Sequence, residues 1–394
     1  MRATTVLLET AIDLNDVAAG DGVLFVRDGV GVAGRGVAAR VPVDEARALL
    51  ASIDHHDEVG GRSPVAIGWV PFEPGGPGEV VLPALLVGKA ADGTQWVTRI
   101  EGGDEPAPTL SPAPRPAPRA QAFTVAPLTP IDRYLAAVTT ARDAVRAGDL
   151  TKAVIAREVS VSSDEPIDVH AVLMRLRSSF GSSHRYSIDG LIGASPELLV
   201  AVDGHIVRSH PLAGTAPRTG DPGTDARVAA ELIASTKDQV EHRVVIDMIH
   251  DTLLPWCSYL DWEPEPSIVT VANVQHLGTA MEGRLSDPIP HVLDLVRALC
   301  PTPALGGFPR DEALRLIAAA EGFERGRYGG AVGWVDAAGN GTWAVTIRCA
   351  ELSTDRRTAR LVAGGGIVAA SDPGLELAET QAKLQAMLSA IVRP

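Results

Sequence analysis

Cysteine is scarce: three residues, Cys257, Cys300 and Cys349, are spread over 394 positions. They form neither a disulfide framework nor a metal-ligand spacing, and read as small buried hydrophobes in a reducing, cytoplasmic compartment. No run of 18 uninterrupted apolar residues occurs, which argues against a membrane-spanning helix. The first residues, MRATTVLLETAIDLND, lack the basic and apolar regions of a secretory signal. Positive charge is also short: 35 Lys and Arg stand against 49 Asp and Glu, a formal charge of −14. That speaks against nucleic-acid binding, which needs basic patches. There is no G-x-S-x-G elbow, no catalytic-cysteine context, no P-loop and no dinucleotide fingerprint. Serine or cysteine acyl transfer and nucleotide chemistry are therefore unsupported.

What is present is a chain 45% hydrophobic, enough for one large core or two smaller ones. The acidic balance has a consequence for any anionic ligand. The overall field repels it, so its site must be made locally positive by Lys, Arg or a metal ion.

Residues 1–104 alternate short apolar runs with glycine, as in Gly22-Val-Leu-Phe-Val26, and read as strands with one helix near 43–53. Residues 105–129 form a proline-rich, extended connection. The segment before it is too strand-rich to stand alone, so it is expected to be a variable N-terminal part of the same domain as 130–394. A helix is expected to start with Thr129 as cap and Pro130 at its first position, to carry Ile131, Leu135, Val138, Arg142 and Val145 at helical spacing, and to stop at Gly148. Lys152 to Val161 reads as a strand, with Arg157 interrupting its apolar face. One helix is expected over 223–256, others at 286–300, 310–321 and 373–391. Strands are expected at 266–272, 328–336, 342–350 and 358–369. Strands mostly follow strands, which predicts an α+β fold with large antiparallel sheets.

Several features suit chemistry. Glu376, Glu379 and Lys383 share one face of the last helix, and Leu375, Leu384 and Leu388 supply apolar contacts. Asp238 and Glu241 lie three apart on an earlier helix. Two carboxylate-bearing helices can hold one magnesium ion, which takes oxygen ligands and keeps several waters. Glu197, at a turn before the apolar run Leu198-Leu-Val200, is placed for partial desolvation and a raised pKa. Pro211 to Thr215 and Gly364 to Gly366 are tight glycine segments that admit close approach of an anion, and turns alone also explain them. Asp54-His-His-Asp-Glu58 lacks a ligand spacing and reads as a solvated loop.

Individually each feature has a bland explanation as a solvated face, a turn or a strand end. Their order is distinctive. Lys152-Ala-Val-Ile-Ala-Arg157, Ser195-Pro-Glu197, Pro211-Leu-Ala-Gly-Thr-Ala-Pro-Arg218, Lys237-Asp-Gln-Val-Glu-His242, Gln275-His-Leu277, Pro301-Thr-Pro-Ala-Leu-Gly-Gly307, Glu324-Arg-Gly-Arg-Tyr-Gly-Gly330 and Glu379-Thr-Gln-Ala-Lys383 resemble the motif series of the chorismate-utilising enzymes. Gly68-Trp-Val-Pro-Phe-Glu-Pro74 resembles the N-terminal part of isochorismate synthases in that family.

The resemblance implies a central cleft and a set of roles. Lys152 corresponds to a base that activates water for attack at ring C2, and Glu197 to an acid that protonates the departing C4 hydroxyl. Glu241 and Glu379 correspond to magnesium ligands, with Glu376 and Asp238 nearby. Lys383 is implied to neutralise the ring carboxylate, and Tyr328 and Arg348 to hold the enolpyruvyl carboxylate. Gly214, Thr215, His276, Ala304, Gly364, Gly365 and Gly366 are implied to line the pocket. The implied activity is a magnesium-dependent isomerisation of chorismate to isochorismate, for siderophore or menaquinone biosynthesis, without an obligate partner protein. Salicylate synthase and a non-catalytic chorismate-binding homologue remain alternatives. Cys300, where the family usually has histidine, and Arg327, where it has a bulky apolar residue, depart from the pattern.

Overall fold

The computed structural model describes residues 1–111, 113, 114, 116, 121–271 and 273–393. Among them, twenty strands form one continuous hydrogen-bonded network, and three more, Leu212–Pro217, Val274–Gly278 and Ser267–Thr270, form a small separate sheet. Antiparallel pairing dominates, because most strands return on a neighbour through a short turn. The fold is α+β with large antiparallel sheets flanked by helices.

The strand Lys152–Ser163 organises the site. It pairs along one edge with Thr358–Ile367, and at separate points on its other edge with Gly307–Phe308 and Phe123–Pro127. Lys152 through Arg157 are all buried, so both faces are covered. The helices Ile131–Ala147, Arg310–Glu321 and Pro373–Val392 pack on it. Arg157, the apparent interruption, donates from Nε to Thr380 Oγ1 at 2.8 Å on the last of these helices. A buried guanidinium needs such a partner.

The first hundred residues enter the same network. Val65–Val70 pairs with Ala331–Asp336, and Val23–Arg27 with His184–Ile188. One core cluster joins Ile67 and Leu82 to Ile155, Tyr186 and Trp343. A second joins Leu14 and Val17 to Leu384, Met387 and Ile391. Phe123–Pro127, inside the expected connection, is an edge strand with largely exposed side chains. Parts of that proline-rich stretch, 112, 115 and 117–120, lie outside the described residues.

Several local expectations are corrected. Thr129 does not cap the following helix. Its Oγ1 accepts from the Glu158 N–H at 3.0 Å, and Pro130 holds the cap position with no side-chain bond. The buried stripe of that helix is Tyr134, Ala137, Val138 and Ala141, and Ile131 is exposed, because the helix sits rotated onto its neighbours. Gly148 ends it in a left-handed conformation, φ 85°, as expected. The 223–256 helix is two: Pro222–Ala234 and Thr236–Leu253, the second capped by Ser235. The expected strand 342–350 is likewise two, Gly341–Val345 and Cys349–Leu352. Asp54–Asp57 is a strand paired in parallel with Arg2–Leu7, so hydrogen bonding rather than solvent orders it. Pro211–Thr215 and Gly364–Gly366 lie mainly in strands; ladder bonds hold Gly364–Gly366 extended, whereas Gly214 sits at a register shift with φ 70°. Leu375 is exposed and supplies no core contact.

Candidate active site

A cavity of about 480 Å³ opens where the Lys152 strand, the small sheet and the helices Thr236–Leu253 and Pro373–Val392 meet. This is within the usual range for a small-molecule site. Every site residue expected from the sequence except Gly365 lines it. The break at Ser235 places Asp238 and Glu241 there. The Asp372 cap and Pro373 start the last helix so that Glu376, Glu379 and Lys383 face the same space.

Lys152 and Glu197, the residues expected to act as base and acid, both line the cavity. Lys152 is 1% exposed, and its Nζ lies 2.9 Å from Glu241 Oε1. Glu197 is 3% exposed, and burial pushes its carboxyl up to about 8, although the Leu212 N–H and the charges of Lys152, Lys383 and Arg348 pull the other way. At neutral pH Glu197 is thus mostly a proton donor. Burial alone would also raise Glu241, but Lys152, Lys383 and Lys237 outweigh it and hold that carboxyl below its ordinary range.

Arg348, His276 and Tyr328 line the same cavity. Arg348 is buried, which pulls its guanidinium down to about 10; its Nη2 is 3.1 Å from His276 Nε2, and its Nη1 has no partner. His276 Nδ1 is 3.1 Å from the carbonyl oxygen of Gly214, which can only accept. Nδ1 therefore carries the proton, and Nε2 accepts from Arg348. Burial together with the Arg348 and Lys383 charges keeps this imidazole neutral. Arg348 itself has φ 52°, an uncommon conformation for a side-chain-bearing residue. It is held by Tyr186, whose hydroxyl donates to Ile347 O at 2.9 Å, and by the Ala194 N–H, 3.1 Å from Arg348 O. Tyr328 is buried beside it, and burial raises its phenol.

The carboxylates cluster around the glycine strand. A Cβ at Gly366 would stand 2.4 Å from Glu241 Oε1 and 2.7 Å from Lys152 Cε. One at Gly365 would stand 2.7 Å from Glu376 Oε2 and 3.7 Å from Glu379 Oε1. Gly365 therefore backs two carboxylates and does not line the cavity, a correction that follows from strand alternation. Gly214, with φ 70° and Asp238 Cβ 3.1 Å from where its own would be, is needed for both reasons. Lys383 Nζ binds Glu379 Oε1 at 2.6 Å, the expected i,i+4 pair, and also donates to Gly364 O at 2.9 Å.

Four cationic side chains, Lys152, Lys237, Lys383 and Arg348, meet five carboxyls, Glu197, Asp238, Glu241, Glu376 and Glu379. With Glu197 mostly protonated, the remaining carboxyls about match the four cations, so the residues alone give the site little net positive charge. Glu376 Oε2 is buried without a hydrogen-bond partner, and burial and Glu379 push its carboxyl up to about 7. Burial likewise raises Asp238. An orphaned buried oxygen among hard oxygen donors fits a hard divalent cation. Among the described residues no three His, Cys, Asp or Glu converge closely enough to hold a metal by themselves.

Sequence reasoning missed three contributors. Lys237 lines the cavity 3.6 Å from Glu376, and lies within the Lys237–His242 motif. Tyr186 and the Glu321–Arg325 pair act through contacts with no spacing signal. Neither departure lines the cavity. Cys300 is buried with Sγ 3.8 Å from Pro71 O, and Arg327 lies over the Trp69 ring and 3.5 Å from Glu351.

A family model described as chorismate binding enzyme matches residues 80–392. Isochorismate synthase DhbC of Bacillus subtilis is 44% identical over 255 residues, 62% of this chain and 64% of that one. Isochorismate synthase EntC of Escherichia coli K12 is 36% identical over 339 residues, 83% of this chain and 81% of that one. The solved menaquinone-specific isochorismate synthase MenF of Escherichia coli superposes with a TM-score of 0.83 at 23% identity, covering 99% of this chain and 94% of that one.

Proposed function

Because the chain belongs to the chorismate binding enzyme family, we propose that it is an isochorismate synthase that converts chorismate to isochorismate, the intermediate of menaquinone and siderophore assembly. The observation that carries the reading is one cavity holding a buried lysine and a carboxyl pushed up to about 8. That is an acid–base pair suited to exchanging one hydroxyl for another.

The chain's own groups account for the reaction. Lys383 faces the ring carboxylate. Arg348, through its unpartnered Nη1, and Tyr328 receive the enolpyruvyl carboxylate. Lys152 must first lose to solvent the proton that pairs it with Glu241; as the neutral amine it then accepts a proton from water as the water oxygen bonds to ring C2. The ring double bonds shift, the C4–O bond breaks, and Glu197 gives its proton to the departing hydroxyl. One water enters and one leaves, so the product is an isomer. Such acid–base assistance contributes roughly 10²–10⁴-fold, and fixed positioning supplies much of the remainder. Magnesium, held by Glu241 and Glu379 with Glu376 and Asp238 alongside, would supply charge neutralisation at the ring carboxylate.

The test is product identification after incubating the protein with chorismate and Mg²⁺. Isochorismate is the expected product. Salicylate accumulating with pyruvate would replace this reading with salicylate synthesis, and chorismate bound without turnover would mark a non-catalytic homologue.

A further inference from the structure

The Lys152 strand has a gap in its second edge. Lys152 and Ala153 are paired with Phe308 and Gly307, and the ladder resumes at Val159 opposite Pro127. Between them, two side chains do what a strand would do. Arg325 Nη2 donates to Val154 O at 2.7 Å, and the Ala156 N–H donates to Glu321 Oε1 at 2.7 Å. The two side chains are bonded to each other through Arg325 Nε and Glu321 Oε2, 2.9 Å, and through Nη2 and Oε1. Each residue is 3% exposed. Buried charges of this kind are costly unless every donor and acceptor is satisfied. Here all three guanidinium nitrogens are bonded.

The third nitrogen shows where the pair points. Arg325 Nη1 donates to Leu305 O at 2.6 Å, and the guanidinium lies 4.3 Å from the Phe72 ring centroid and 5.9 Å from that of Tyr328. One side chain therefore touches the strand carrying Lys152, the Ala304–Leu305 wall and the ring of Tyr328. A mere edge closure would need none of the last three contacts. We propose that Arg325, braced by Glu321, is a positioning residue that fixes Lys152 and Tyr328 relative to each other. The inference rests on the function proposed above for Lys152 and Tyr328.

Arg325→Lys keeps the charge but cannot reproduce the planar fork. Its kcat per chorismate-binding site, with sites counted by calorimetry, is expected to fall on the order of 10²-fold, the scale of an ångström-sized misplacement. Chorismate affinity should fall less than kcat does, since Tyr328 shifts but Lys383 and Arg348 are untouched. Glu321→Gln, which keeps an acceptor for the Ala156 N–H, should retain more activity than Arg325→Lys. A purely structural role would lower the melting temperature while leaving kcat per site intact, and that result would overturn the proposal. So would failure of both variants to fold. If the wild type does not turn over chorismate, the functional reading fails instead. Crystal structures of wild type and Arg325→Lys then decide the positioning claim: Lys152 Nζ and Tyr328 displaced supports it, and unmoved refutes it.

Discussion

Lys152 Nζ lies 2.9 Å from Glu241 Oε1; the lysine is buried and the glutamate keeps 11% of its side chain exposed. The proposed base and a proposed metal ligand are thus one ion pair, so each residue has a structural as well as a chemical role. Removing one partner of a buried pair leaves an uncompensated charge and costs about 3–5 kcal/mol. Lys152→Ala is therefore expected to do two separable things. It abolishes conversion of chorismate while leaving chorismate binding measurable, and it lowers the melting temperature. Adding Glu241→Gln should recover much of the stability and none of the activity. Wild-type-like turnover in Lys152→Ala would remove it as the base.

Metal content is checked by chelation. Dialysis against EDTA should abolish turnover, and added Mg²⁺ should restore it. In Glu379→Ala the Mg²⁺ titration should move to at least 10-fold higher concentration or fail to restore activity, an effect of the size seen when donors near a metal are lost. An unchanged titration would contradict the ligand assignment.

Much of the site could be read from the order of short motifs, since each carries its functional residue at a fixed place within it. Lys152, Glu197, Glu241, Glu379 and Lys383, each inside one of those motifs, all line the cavity. What could not be read depends on contacts between distant residues or on single backbone angles. The run 342–350 alternates like one strand, yet Arg348 turns left-handed within it and splits it in two. Arginine carries no turn signal, and the Tyr186 bond that holds the conformation spans 161 positions. The helix break at Ser235 was equally hidden, because helix-forming residues continue on both sides of the serine. The Glu321–Arg325 pair has ordinary i,i+4 spacing, which on most helices marks a solvated face; only the fold shows that it is buried.

The glycine strand offers a test of packing. Gly366→Ala places a methyl group 2.4 Å from Glu241 Oε1 and 2.7 Å from Lys152 Cε. The Glu241 carboxylate and the Lys152 stem must move, while the ladder bonds of the strand are unaffected. The variant should fold, with turnover reduced at least 10-fold, a displacement effect of the kind positioning arguments anticipate. Normal kinetics would show that the Lys152–Glu241 geometry tolerates more freedom than the close approach implies.

The last prediction concerns Glu197 and pH. A general acid must hold its proton, and this carboxyl titrates near 8 because it is buried. Turnover should therefore decline as pH rises through about 8 and should not decline for this reason between pH 5 and 7. Stability follows the same group. The folded state keeps the proton up to about 8, whereas the unfolded chain releases it near the ordinary value of 4.5. Between those values the folded state binds more protons, so stability falls as pH rises. Glu197→Gln removes the titration without removing the bulk. Its melting temperature relative to wild type should be nearly constant below pH 4.5, rise between 4.5 and 8, and level off above, while its turnover is lost at every pH. Parallel wild-type and Glu197→Gln melting curves from pH 5 to 9 would show that this carboxyl is ionised in the folded protein, and the acid would have to be sought elsewhere.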